Sequence, residues 1–230
     1  MISEETRKLG ALVTERTKPI FAEIDRIAEK NAEKMLEAFQ EYRVSAAHLV
    51  GTTGYGYDDL GRDTLDKIFA RVFRAEAGLV RSQFVNGTHT ITCALMGILR
   101  PGDTVISAFG PPYDTLQSVL GITGNAPGNF KEFGITYRQV DMTEDLRPDI
   151  PGICRAVQEP HAKLLMIQRS RGYSLRAALT VDEIGEIIQA AKAANPEILV
   201  FVDNCYGEFL EDREPTEVGA DIMAGSLIKN

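Results

Sequence analysis

Ile198-Leu199-Val200-Phe201-Val202-Asp203-Asn204-Cys205-Tyr206 is an apolar run that ends in a carboxylate. A run this short, apolar at successive positions and preceded by the breaker Pro196, reads as a strand buried on both faces. Downstream, residues 221–227 read as another strand, and Ala224-Gly225-Ser226-Leu227-Ile228-Lys229 brings a serine and a lysine to its end. Working back toward the N-terminus, further strands are expected at 79–85, 104–108, 135–140 and 164–168. Helices are expected at 88–99, 113–120 and 149–157. A last helix opens at the capping box Thr180-Val181-Asp182-Glu183 and runs through Ala194. Strands alternating with helices argue for an α/β fold with a mainly parallel sheet covered by helices. Such sheets take ligands at the carboxyl ends of their strands.

Upstream of this pattern, residues 18–43 form one expected amphipathic helix. Ile20, Phe21, Ile24, Ile27, Met35, Leu36 and Phe39 fall at helical spacing. It packs either on its own domain or on a neighbouring subunit. The chain thus divides into a helical arm, 1–50, and a large ligand-binding domain, 51–230. The large domain opens with the glycine- and tyrosine-rich loop Gly51-Thr52-Thr53-Gly54-Tyr55-Gly56-Tyr57-Asp58-Asp59-Leu60-Gly61-Arg62. A helix follows with Leu65, Ile68, Phe69, Val72 and Phe73 on one face.

With 230 residues, 44% of them hydrophobic, the chain can bury a sizeable core. A net charge of −8 with no long run of like charge gives no footprint for nucleic acid. No apolar run approaches a membrane span. The N-terminus is charged with no apolar stretch behind it, so a cytoplasmic protein is expected. Cys93, Cys154 and Cys205 are far apart, read as reduced thiols, and form no metal-ligand pattern; no metal is expected.

The strand-end residues carry the chemistry. A lysine at one strand end and an aspartate at the neighbouring one match a site for pyridoxal 5′-phosphate (PLP). Lys229 would form the Schiff base, and Asp203 would pair with the ring nitrogen and keep it protonated. In Val85-Asn86-Gly87-Thr88-His89-Thr90, an apolar segment runs into Gly-Thr at a helix start, a natural phosphate cradle. Alone it would be an ordinary tight turn; Asp203 and Lys229 strengthen the reading. Ser226 is placed to donate to the same phosphate. In Phe109-Gly110-Pro111-Pro112-Tyr113, an aromatic is expected to stack on the ring, and Tyr113 to hydrogen-bond or exchange protons. The alternative is a proline-stiffened turn capped by core aromatics. Tyr55, Tyr57 and Arg62 read either as an arm contacting phosphate or substrate, or as a surface loop. His89 is an acid–base group or packs on the ring. Arg169 and Arg171 follow a strand end and suggest anion handling.

Taken together, these motifs resemble the fold-type I PLP-dependent enzymes of cysteine and methionine metabolism. Within them the chain is similar to the aluminium-resistance, or methionine gamma-lyase-like, proteins. The match runs in order through G-T-T-G-Y-G-Y-D-D-L-G-R, F-V-N-G-T-H-T, F-G-P-P-Y-D-T, Q-R-S-R-G-Y, V-D-N-C-Y-G-E and G-S-L-I-K-N. It implies a sheet of the seven-stranded type. It implies Lys229 as the Schiff-base lysine, Asp203 on the ring nitrogen, Gly87, Thr88 and Ser226 around the phosphate, and Phe109 or Tyr113 on the ring. Tyr55 or Tyr57, with Arg62, would reach the phosphate of a neighbouring subunit in a homodimer or homotetramer with shared sites. The implied activity is β- or γ-elimination on a sulfur-containing amino acid such as cystathionine or methionine. An aminotransferase or a non-catalytic stress-response protein are the alternatives. Family members continue past the lysine, so the chain reads as truncated before the small C-terminal domain.

Overall fold

The computed structural model describes residues 2–124 and 127–229. A helix capped by Ser3, α1 (Glu4–Glu41), is followed by a short 3-10 turn and α2 (Leu60–Val72). Then come α3 (Gly87–Ile98), β1 (Thr104–Ser107), α4 (Asp114–Leu120), β2 (Thr136–Gln139), α5 (Ile150–Val157), β3 (Ala162–Gln168), α6 (Val181–Ala194), β4 (Leu199–Asp203) and β5 (Ile222–Ala224). The described residues form a five-stranded sheet in the order β2-β1-β3-β4-β5, and every pairing is parallel.

Side-chain alternation along the strands builds two cores. Ile106, Leu165, Ile167, Val200 and Val202 point to one face, where α5 and α6 supply Ile153, Val157, Ile184, Ile187 and Ile188. Val105, Leu164, Met166 and Phe201 point to the other, against Ile91 and Leu95 of α3 and Leu116 and Leu120 of α4. Strands covered on both faces read as continuous apolar runs, which is why β3 and β4 were visible as such. A third, smaller cluster joins Ala38 of α1 to Ile68, Val72 and Phe73.

Two expectations need correction. The segment 79–85 is not a strand. The Val80 amide donates to Asp66 Oδ1 at 2.8 Å and Arg81 pairs with Asp66 at 2.6 Å, so α2 rather than a sheet takes up its polar groups. Leu79 and Val85 stay exposed. The first helix starts at Glu4, not near residue 18, and Pro19 lies inside it. Leu9, Leu12 and Val13 extend its apolar pattern but remain half-exposed. Among the described residues the parallel sheet has five strands.

Two substitutions test this packing. Leu165 is fully buried between β1, β4 and the α5–α6 layer. Leu165→Ala is expected to cost about 2–5 kcal/mol in urea unfolding. Thr180 accepts from the Glu183 amide at 3.2 Å and Glu183 returns the bond to Thr180 N, so Thr180→Ala is expected to cost about 1 kcal/mol by the same measurement.

Candidate cofactor and active site

The carboxyl ends of β1, β3, β4 and β5 lie on one edge of the sheet, because all the strands are parallel. Asp203 is the last residue of β4 and is 2% exposed. Its Oδ1 accepts from the Cys205 amide at 3.1 Å, and the Cys205 thiol also reaches the carboxylate. Among the described residues it makes no ion pair. Burial pushes its pKa up; the Cys205 bonds and the Lys229 charge pull the other way. Lys229 follows β5, is exposed, and sets its ammonium 4.3 Å from the centroid of the Tyr206 ring.

The backbone around Asp203 is tightly held. The Asn204 amide bonds to Ala224 O at 2.8 Å across to β5. The Asn204 side chain accepts from Arg169 Nη1 at 2.8 Å and donates to the buried Glu214 at 3.0 Å. Arg169 also donates to Gly207 O at 2.6 Å. It is 3% exposed, so it works as an internal brace and not as an open anion site. On the far side, Asn31 of α1 donates to Phe209 O and Glu211 O, and Arg26 pairs with Asp212. Tyr206 and Phe209 adopt left-handed backbone, with φ of 69° and 63°.

The phosphate-cradle segment opens α3, although a turn precedes it rather than a strand. Asn86 caps the helix through a 2.9 Å bond from the His89 amide. The amides of Gly87 and Thr88 lie too early in the helix for an intrahelical partner. A Cβ on Gly87 would sit 3.3 Å from Cys205 Sγ and 3.7 Å from Ser226 Cβ, so α3, β4 and β5 converge here. The Ser226 amide is held by Glu208 Oε1 at 2.7 Å. These features suit PLP: helix-end amides and a hydroxyl for phosphate, a lysine amine for the aldehyde, and a buried carboxylate with no ion pair among the described residues for the ring nitrogen.

Tyr113 is half-buried beside this cradle. Its phenol lies 3.0 Å from Thr88 Oγ1, its amide donates to Gln168 Oε1 at 2.8 Å, and burial raises its pKa. Phe109 is placed otherwise. Its ring is 3% exposed and carries the Arg176 guanidinium 4.2 Å from its centroid, so of the two aromatics Tyr113 is the one at the cradle. Arg176 also donates to Phe109 O, Gln168 O and Ser170 O, and burial lowers its pKa to about 10. Nothing in sequence spacing marked Arg176, since its three carbonyls meet only after folding. The His89 ring is engaged at Nδ1 by the Val85 amide and packs edge-on to Phe84. Tyr55 and Tyr57 are 94% and 97% exposed, and Arg62 pairs with Asp63; the structure does not bring these three to the strand ends of their own chain.

The thiols give a direct check on burial. Desolvation and the neighbouring Asp203 push Cys205 well above the ordinary thiol range, whereas Cys93 is exposed. Thiolate is the reactive form, so at pH 8 iodoacetamide should label Cys93 and spare Cys205 until the protein is unfolded, as read by peptide mass mapping.

A scan against family models matches the methionine gamma-lyase family over residues 6–230. YnbB of Bacillus subtilis is 49% identical over 92% of this chain and 50% of its own length. The crystal structure of a carbon-sulfur lyase involved in aluminum resistance from Clostridium novyi superposes with a TM-score of 0.94 at 48% identity, covering 99% of this chain and 54% of that one. The PLP-dependent protein YhfS of Escherichia coli, at 19% identity and a TM-score of 0.65, shares the fold over 87% of this chain. The chain spans about half the length of these relatives. Its parallel sheet and flanking helices are those of the fold-type I PLP-dependent enzymes, and the chain belongs to the methionine gamma-lyase family.

Proposed function

We propose that this chain holds the cofactor of a PLP-dependent carbon–sulfur lyase acting on a sulfur-containing amino acid such as cystathionine or methionine. The observation that carries the reading is Asp203: a buried carboxylate without an ion pair among the described residues, at the strand ends that also gather Lys229, Ser226 and the start of α3. Membership of the methionine gamma-lyase family supports it.

When bound, PLP supplies an aldehyde for a covalent link and a protonated ring that accepts an electron pair from the substrate α-carbon. Asp203 would accept the ring N–H and so gain the counter-ion that burial demands. The Gly87 and Thr88 amides and the Ser226 hydroxyl would hold the phosphate, helped by the α3 dipole. Lys229 would anchor the cofactor through its amine and, once released by substrate, carry the α-proton. The Tyr113 phenol, protonated at neutral pH like any phenol and held further above its ordinary range by burial, would give its proton to the departing thiolate. Tyr55 and Tyr57, exposed on their loop, and Arg62, partly buried in the first turn of α2, would reach the phosphate of a second copy in a homodimer or homotetramer.

The test is to incubate the protein with PLP, reduce with borohydride and map the added mass. The mass should fall on Lys229 and vanish in Lys229→Ala; a tag on another lysine would sink the assignment. Asp203→Ala should retain the tag yet slow deuterium exchange at the substrate α-carbon by about a hundredfold or more. Keto acid, ammonia and thiol as products would mark elimination, while transfer of the amine to the cofactor would mark an aminotransferase.

A further inference from the structure

Beside the cradle, three hydroxyls cluster. Tyr113 Oη lies 3.0 Å from Thr88 Oγ1, and Thr88 Oγ1 lies 2.9 Å from Thr115 Oγ1. Tyr113 and Thr88 are half-buried, whereas Thr115, in the first turn of α4, is exposed. Each hydroxyl donates once and accepts up to twice, so all three protons can point along the row in either direction and shift together.

We propose that the Thr88 and Thr115 hydroxyls form a proton relay joining the Tyr113 phenol to solvent, with Thr115 as its outer end. This rests on the lyase reading above and deepens it. When the carbon–sulfur bond breaks, its electron pair leaves with sulfur and takes a proton from Tyr113 Oη. The Thr88 proton then refills the phenol, the Thr115 proton refills Thr88, and solvent refills Thr115. The relay draws in one solvent proton for each thiol released, offset by the α-proton that Lys229 takes up and later gives to solvent.

The other titratable groups near the phenol do not serve. His89 has Nδ1 taken by the Val85 amide and its ring packed against Phe84. The Cys205 thiol is buried and bonded to Asp203, with no opening to water. Asp203 and Cys205 act on Tyr113 only through their charges, both raising its pKa, while the hydroxyls of Thr88 and Thr115 oppose that rise. Thr115 meets the cradle only at the Thr88 side-chain hydroxyl and acts through Thr88 and Tyr113, so it is a positioning residue.

Thr115→Val keeps the branched shape on an exposed first turn and removes the hydroxyl; Thr115→Ser restores it. In protein without added PLP, ultraviolet difference titration with Tyr113→Phe as blank should show the phenol titrating at higher pH in Thr115→Val. It should return toward the wild-type position in Thr115→Ser. With PLP and substrate, Thr115→Val should lower kcat for thiol release about five- to tenfold with KM unchanged. The loss should be larger in D2O, and Thr115→Ser should recover the rate. A Thr115→Val protein that titrates and releases thiol like wild type would overturn the relay and leave Thr88 as a phosphate contact alone. A wild-type protein that takes up no PLP would overturn the lyase reading instead, while the titration still judges the hydroxyl row.

Discussion

Parallel strands impose a constraint on which everything else in this molecule depends. Each strand must be left and re-entered from the opposite end, so helices cover both faces and every carboxyl terminus opens on the same edge. The two cores on either side of β3 and β4 are the thermodynamic expression of that rule. Asp203 closes β4, Ser226 and Lys229 follow β5, and those two strands end side by side. Neither strand needs to be long; three residue pairs align them.

Burial of Asp203 sets the electrostatic problem. A carboxylate this deep is disfavoured as an ion, and the groups around it only partly offset the desolvation. The loop that follows is braced in compensation. Arg169, Asn204 and Glu214 tie it to β3 and to itself, and α1 grips its outer side through Asn31, Arg26 and Lys30. The N-terminal helix and the aspartate at the sheet edge are therefore parts of one mechanical unit, separated by a single loop of about ten residues.

The sheet from β1 onward was legible because β3 and β4 are short apolar runs between breakers, the more polar β2 is flanked by Ile135 and Val140, and most of the helices have their own cap or periodicity. The positions of Asp203 and Lys229 beyond apolar runs were legible for the same reason, since a charge stands out against the run that it follows. The segment 79–85 misled because its apolar content carries no record of where its amides bond, and Asp66 supplies the answer from another element. Pro19 hid the first turns of α1, since a proline usually marks a helix start. Phe109 could not be separated from Tyr113 by position, because what seals its ring is Arg176, brought over from beyond β3. The hydroxyl row left no trace in spacing, as Thr88 and Thr115 meet only once α3 and α4 lie on the same face.

Tyr206 holds a left-handed backbone without being a glycine, and its ring is where the Lys229 ammonium rests. A glycine there would relax the backbone by about 1 kcal/mol or more and remove that ring. Selection for stability and selection for the lysine's setting therefore pull this one position in opposite directions. A protein with this loop forgoes some of its attainable melting temperature as long as it keeps the tyrosine.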